Sequence, residues 1–564
     1  MNIWDEGIPL SGIQRMDAGE RPIRDFIAYP PGRYLLFWFS THIGGMQVRS
    51  PRTIMALFTG LAAAGIGLIG RRAGLKKSAV IPVLCYLLMP MYYYYRFFTI
   101  MLVCMILSLD LQLRNKSMTQ LVFSGLLAAT VIWFRLFLGI FIMIMLPLAA
   151  LAARRPPAGY SRARRIIPSL IMYIGFLLQI LYIGGFGVWF RYLQTCRSFS
   201  QAGFSDMSLP WPPLWSPAYL SSLNVSYFFQ DSMIYIGLII LILFSADLII
   251  GRKWRDSTTS ALCCVGWIGF GLVWWRTGYG NLLRAFPPLA IMSVCLFQRA
   301  GRRKPLITAV GGFLLVGLLV DSLLLDPQTY QSVGIVRTSN SRFCHPRFDI
   351  RMNNSDCFIM SQIVSALEAA ADGPSTRLLV LPFHTIFNFI TGYSTPSYFD
   401  WVLPGNFSNP DLYREMVNEV TGSSPDLVLL NDEPFDGYFD RRFSFQYPEL
   451  MLWLMRDYYR WYQVGGFKIL RRKPSDAESL IAEDNRKLLM VTGETDVGRV
   501  YIGEKPVRTL IQKGDARYVV AFEQMDEAIL ASGVLLDTSG GSGGICEVSI
   551  YVNGDMLGSG QLKP

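Results

Sequence analysis

Charged residues are scarce in this sequence. They make up 16% of its 564 residues, where globular domains carry about 25%. Histidine is scarcer still. His42, His345 and His384 are the whole supply, which leaves no basis for a histidine-built zinc site. No Cys-x-x-Cys pair occurs among nine cysteines, and there is no His-Glu-x-x-His. The absence of Asp-x-Asp removes support for the metal-bound nucleotide-sugar site of many soluble transferases. The absence of Gly-x-x-x-x-Gly-Lys-Ser/Thr argues against a P-loop ATPase.

What is abundant is apolar: 52% of the residues are hydrophobic and 13% aromatic. The excess is concentrated before about residue 325, in runs long enough for membrane helices, which need about 20 apolar residues each. Ten runs qualify: 53–70, 78–93, 95–113, 119–134, 136–152, 166–190, 232–250, 258–275, 283–298 and 305–324. Cys85, Cys104, Cys263, Cys264 and Cys295 lie in these runs and read as small core residues. Cys344 and Cys357 share one polar segment, as a disulfide or as two thiols.

The net charge of +11 would suit nucleic acid, but the basic residues cluster beside the apolar runs, as membrane topology requires. No nucleic-acid partner is therefore expected. Alternate connections hold Arg71, Arg72, Lys76 and Lys77; Arg114 and Lys116; Arg154, Arg155, Arg162, Arg164 and Arg165; Arg252, Lys253 and Arg255; and Arg299, Arg302, Arg303 and Lys304, eighteen in all. The opposite set holds six: Arg96, Arg135, Arg191, Arg197, Arg276 and Arg284. The positive-inside rule makes the first set cytoplasmic. It places residues 1–50 and everything after 324 on the other face of a plasma or inner membrane. Segment 1–50 has no signal peptide and no span of its own, so a further helix preceding Met1 is expected.

Residues 325–475 alternate strand-like and helix-like patterns. Arg377–Leu381 and Asp426–Leu430 are short apolar runs, 408–421 and 449–460 read as helices, and Phe467–Leu470 reads as a strand. A small extracytoplasmic α/β unit is the expectation. Residues 476–564 break into short alternating runs, with a hairpin signal at Asn553-Gly554. They read as a β-rich module that is truncated at its C-terminal end. Within it, 538–544 matches the Gly-x-Ser-x-Gly nucleophile pattern at Gly540–Gly544 but reads as a flexible loop.

Among the acidic residues before the first run, Asp5, Glu6 and, in the stretch Gly19 to Phe26, Asp25 are the candidates. An acceptor hydroxyl attacking a sugar carbon needs a base within hydrogen-bond reach, and a carboxylate at the edge of a membrane cavity suits that task; a solvated acidic loop is the other reading. Arginines at the outer ends of the spans are the second signal. Arg96 follows Tyr92–Tyr95, and Arg276 and Arg284 flank Gly278–Asn281. A guanidinium grips phosphate bidentately, or else snorkels to headgroups. Arg135 is read as snorkelling. The aromatics of 191–231, Trp211 among them, read as interfacial anchors. The sequons at Asn224, Asn353 and Asn406 carry weight only in a secretory pathway.

At these residues the sequence resembles the GT-C superfamily of polyprenyl-phosphate-sugar-dependent glycosyltransferases. It is most similar to bacterial members related to protein O-mannosyltransferases and the lipid A aminoarabinose transferase. The acidic pair Asp5-Glu6 opens the first outer loop. Gly19-Glu20-Arg21-Pro22-Ile23-Arg24-Asp25-Phe26 follows, then Tyr29 and Pro31-Gly32 leading into a helix. Beyond the membrane region come Leu379–Pro382, Asn388–Pro396 and Leu403-Pro404-Gly405. The resemblance covers roughly residues 1–475. It implies a polytopic α-helical membrane protein and an inverting transfer, with Asp5 as base and Glu6 as its neighbour. Arg24, Asp25 and Tyr29 would position the loop. The donor would be a sugar on a polyprenyl phosphate held by Arg96, Arg284 or Arg276, and the acceptor a glycan, lipid or protein. No cofactor is implied beyond a candidate divalent cation. The sequence departs from the family in having only four residues before Asp5. A lipid-linked-glycan transporter or flippase, or an O-antigen-ligase-type enzyme, would use similar spans. The first should show repeat symmetry that this sequence lacks, and the second should place its large outer loop between spans.

Overall fold

The structure is a computed structural model. It describes residues 3–88, 93–114, 117–152, 162–205, 211–212, 214, 216, 225–251, 256–275, 282–283, 285–300, 341–343, 345–352, 354–403, 407, 409–433 and 442–473, together with the strands of 487–562. Two compact units divide the chain, Met1–Cys357 and Phe358–Pro564.

The first unit is a helix bundle. Two helices, α1 (Ile3–Asp17) and α2 (Pro31–Gly44), occupy the segment before the first apolar run. Then follow α3 (Arg49–Arg72), α4 (Val80–Leu88), α5 (Tyr93–Arg114), α6 (Met118–Phe134), α7 (Leu136–Ala152), α8 (Ile167–Ile183), α9 (Phe186–Ser205), α10 (Val225–Ile250), α11 (Ser257–Trp275) and α12 (Phe286–Ala300). Among the described residues, four helical stretches are long and apolar enough to cross a membrane: Arg49–Arg72, Arg96–Arg114, Arg164–Ile183 and Asp231–Ile250. The bundle's outside is apolar as well. Leu61, Ile144, Leu148, Leu178, Leu181 and Ile242 are each at least half exposed. A surface this apolar is of the kind that membrane-crossing helices present.

Most of the expected spans reappear as helices within a few residues. One does not. The run 166–190 ends as a helix at Ile183, because Gly184 and Gly185 adopt φ of +107° and +102°. There the amides of Gly184 and Gly185 donate to Leu181 and Ile180 carbonyls and close the helix. Hydropathy continues through the corner; the backbone does not. The run 305–324, the asparagines of the three sequons and Cys344 lie outside the described residues.

Small residues let helices meet. A Cβ on Gly125 of α6 would lie 2.8 Å from the Pro168 carbonyl oxygen, and one on Gly175 of α8 2.7 Å from Ala129. Trp133 Nε1 donates across the same contact to the Gly175 carbonyl at 2.8 Å. Close backbone approach of this kind is how helices associate without a hydrophobic driving force between them.

A charged knot ties the end of α3 to α5 and α11. Asp110 is wholly buried. It accepts from Arg72 at 2.7 Å, from Arg114 Nε at 2.9 Å, from Ser257 at 2.8 Å and from Thr258 at 2.7 Å. Four donors on one carboxylate offset the cost of burying it.

In the second unit, β3 (Leu378–Leu381), β4 (Leu427–Asn431), β5 (Tyr458–Val464) and β6 (Phe467–Arg472) form a sheet of order β3-β4-β6-β5. The β3–β4 pair is parallel; the others are antiparallel. The helix expected over 449–460 runs from Pro448 to Asp457, and Tyr458–Arg460 instead open β5, where pairing with Leu470–Arg472 and aromatic strand propensity prevail. The hairpin signal holds: 546–552 pairs antiparallel with 555–562 across Asn553-Gly554. Thr538–Gly540, read as loop, are paired strand residues.

His384 is sandwiched between Phe383 and Phe467, with ring centroids at 4.2 and 5.0 Å. Burial alone pushes its pKa down to about 3. The unfolded chain therefore binds the extra proton first, near the ordinary value of about 6.5. The resulting stability is complete above that value and is lost progressively as pH falls toward about 3. Lowering the pH from 7.5 to 5 should thus lower the melting temperature of the wild-type chain more than that of His384→Phe, followed by tryptophan fluorescence. Parallel falls in the two proteins would mean that the imidazole is not buried neutral.

Candidate functional site

The acidic pair sits on the first turns of α1. Nothing is described of the Asp5 side chain beyond its place on that helix. Glu6 is buried, and Arg52 on the first turn of α3 grips one of its oxygens: Nη2 to Oε2 is 2.8 Å and Nε to Oε2 is 3.1 Å. The other oxygen, Oε1, is buried and accepts no hydrogen bond from the described residues. A carboxylate fixed through one oxygen keeps the lone pairs of the second oriented and available.

The loop behind this pair is held by its own motif. Gly19 takes φ +94° and Ile23 φ +74°, the latter unusual for a β-branched residue. Ile23 N donates to the Phe26 carbonyl at 2.9 Å. Asp25 Oδ2 accepts from the Arg21 amide at 2.8 Å, and Arg24 Nε lies 3.4 Å from Asp25 Oδ1. Asp25 therefore folds the turn. Arg15 closes the loop from α1, donating to Glu20 at 2.7 Å and to the Asp25 carbonyl at 3.0 Å, with its guanidinium over the Phe26 ring. Phe26 and Tyr34 join Ile23, Ala28 and Ile183 in one core cluster, backed by Trp189 and Tyr192 of α9.

Pro31 starts α2, where its missing N–H costs nothing. Gly32 is required by contact: a Cβ there would lie 2.7 Å from the Trp133 carbonyl oxygen. Next to it, Arg33 is wholly buried, its guanidinium 4.7 Å from the Tyr29 ring centroid and 4.8 Å from that of Phe97. Tyr29 thus supports a buried cation with its ring, while its amide donates to the Tyr34 hydroxyl at 3.3 Å.

Arg96, half-buried at the start of α5, donates to Thr59 Oγ1 of α3 at 3.2 Å. Arg52 and Thr59 are seven residues apart, hence on one face of α3 and roughly 10 Å apart along it. The Glu6–Arg52 pair and Arg96 therefore share one side of that helix, two turns from each other. Arg135 lies at the corner between α6 and α7, its guanidinium 5.8 Å from the Phe98 ring centroid, so it stacks on an aromatic ring of the bundle rather than only reaching outward to headgroups. Arg276 and Arg284 lie outside the described residues. Trp211 packs on Tyr235 of α10 at 5.3 Å, as an anchor would. Among the described residues no group of three or more His, Cys, Asp or Glu side chains could hold a metal ion.

Arg52 and Arg33 are the residues that sequence reasoning passed over. Each leaves a trace: Arg52 is a charge one turn into an apolar helix, and Arg33 directly follows the Pro-Gly that opens α2.

No family model and no curated protein matches the chain. Among solved structures it is similar to the crystal structure of ArnT from Cupriavidus metallidurans bound to undecaprenyl phosphate, at 12% identity and a TM-score of 0.47, over 84% of this chain and 94% of that one. The apo structure of the same protein matches at 13% identity and a TM-score of 0.42, over 82% and 92%. A likeness this distant carries no argument about activity. The site's own geometry has to supply one.

Proposed function

We propose that this protein is a membrane glycosyltransferase of the GT-C type, moving a sugar from a polyprenyl-phosphate carrier to an acceptor on the extracytoplasmic face with inversion. The observation that carries the reading is the buried Glu6 carboxylate, fixed by Arg52 through one oxygen while the other, also buried, accepts no hydrogen bond from the described residues, on the same side of α3 as Arg96. In this reading Asp5 takes the proton from the acceptor hydroxyl as that oxygen bonds to the anomeric carbon. The bond from that carbon to the phosphate oxygen breaks, and polyprenyl phosphate leaves with its electron pair. Glu6, oriented by Arg52, keeps the helix and its neighbouring carboxylate in register. Arg96, with Arg276 and Arg284, neutralises the departing phosphate. Arg24, Asp25 and Tyr29 shape the loop. The distribution of Lys and Arg supports the outer placement of this face.

The test uses purified protein in nanodiscs with a panel of polyprenyl-phosphate sugars. A covalent glycosyl product is expected with at least one donor. Arg96→Met should raise the donor KM by about tenfold or more, the worth of one charge-assisted contact. Movement of a lipid-linked glycan across vesicles without covalent change would replace this reading with a flippase.

A further inference from the structure

Away from the loop, the start of α3 meets a second segment of the first unit. Strands β1 (Ser341–Phe343) and β2 (Ile350–Met352) pair as a short hairpin. The chain between them reaches α3, where the Val48 amide donates to the Arg347 carbonyl at 2.9 Å. At the end of this connection Asp349 is pinched by two guanidiniums. Arg342 Nε lies 2.6 Å from Oδ1, and Arg49 Nη2 lies 2.6 Å from Oδ2, which Arg342 Nη2 also reaches. Arg49, Arg52, Arg342, Asp349 and Ile350 line a cleft of about 450 Å³.

Among the described residues, three guanidiniums and one carboxylate line this cleft, and Glu6 pairs with Arg52. The first turn of α3 adds the positive end of a 24-residue helix. Arg49 and Arg342 come from segments about three hundred residues apart in sequence, yet their forks converge on one oxyanion, the arrangement by which arginines hold phosphate. Their side chains are 60% and 54% exposed. Ion pairs that open to solvent contribute little as staples, and the Asp349 carboxylate between them, itself 27% exposed, can be exchanged for another oxyanion. The Arg342 hydrogen bond holds the Asp349 carboxyl below the usual carboxylate range, so at neutral pH the resident group is an anion.

We propose that this cleft is a phosphate-ester site, distinct from the Arg96 contact assigned to the donor though it shares Arg52 with the Glu6 pair, in which the Asp349 carboxylate occupies the place of the ligand's phosphoryl oxygens until the ligand displaces it. Recognition rests on Arg49, Arg342 and Arg52. The ligand is either the headgroup of an anionic phospholipid in the surrounding bilayer or a water-soluble phosphate ester. The inference stands without the glycosyl-transfer reading.

The experiment measures binding of inorganic pyrophosphate to the full chain in phosphatidylcholine nanodiscs at low salt. Removing the internal competitor with Asp349→Asn should tighten binding about tenfold, and Arg49→Gln should weaken it about tenfold. Repeating the titration in nanodiscs containing phosphatidylglycerol separates the two sources. Competition by the lipid identifies a headgroup site, and unchanged binding identifies a soluble ester. A purely structural pair predicts the opposite for Asp349→Asn, with a lower melting temperature and no gain in affinity, and that result overturns the proposal. Arg49→Gln changes an exposed side chain and so keeps the test independent of folding. Pyrophosphate binding equal to wild type in Arg49→Gln overturns it too.

Discussion

Asp5→Asn is expected to lower the turnover of glycosyl transfer by about 10²- to 10⁴-fold, the usual contribution of a positioned general base, with the donor KM little changed. The substitution keeps the shape of the side chain and removes its basicity, so a loss confined to kcat would separate proton transfer from binding. Glu6→Gln tests the neighbouring role. It removes the charge that Arg52 faces in a buried setting, so both activity and melting temperature should fall. The pair of variants is decisive because the two carboxylates are adjacent on one helix. Full activity in Asp5→Asn together with a dead but folded Glu6→Gln would transfer the base to Glu6, whose buried Oε1 accepts no hydrogen bond from the described residues.

The second large effect is on folding. Asp110→Leu should destabilise the bundle by about 3–5 kcal/mol, the cost of breaking ion pairs whose carboxylate is wholly buried and whose two cations are half-buried. Arg72 and Arg114 would both lose their shared partner, along with the hydroxyl donors Ser257 and Thr258. Detergent-solubilised protein heated and passed over a sizing column should show the loss as an earlier collapse of the monodisperse peak. The variant Thr258→Val, which removes one of several donors to the same carboxylate, should show a much smaller loss. Equal behaviour of Asp110→Leu and the wild type would mean that the carboxylate is not a tie between helices.

Much of this was legible in the residues. Apolar runs between basic clusters located the helices of the bundle, because a run too long and too apolar to break satisfies its backbone groups within a helix and leaves the charges to the connections. The Pro31-Gly32 start of α2 was readable because it meets a local steric need, and the helix read over 408–421 is found at Pro410–Ser423, capped by Asn409. The 166–190 run misled because hydropathy is blind to φ, and two glycines turned the chain where composition did not change. The Glu6–Arg52 pair was illegible for a different reason. Forty-six residues separate its members, and no periodicity links a helix in a loop to the first turn of a span. The same holds for Arg49 and Asp349, three hundred residues apart.

The Gly184–Gly185 corner also sets an order of events during synthesis. Phe26 and Tyr34 find their wall in Ile183, Trp189 and Tyr192, residues that leave the ribosome some hundred and fifty positions after them. The acidic segment therefore waits, partly unsupported, until the eighth helix has been inserted and the ninth has turned back. Nascent chains arrested before residue 183 should leave residues 19–34 open to protease, and chains arrested well beyond Tyr192 should not.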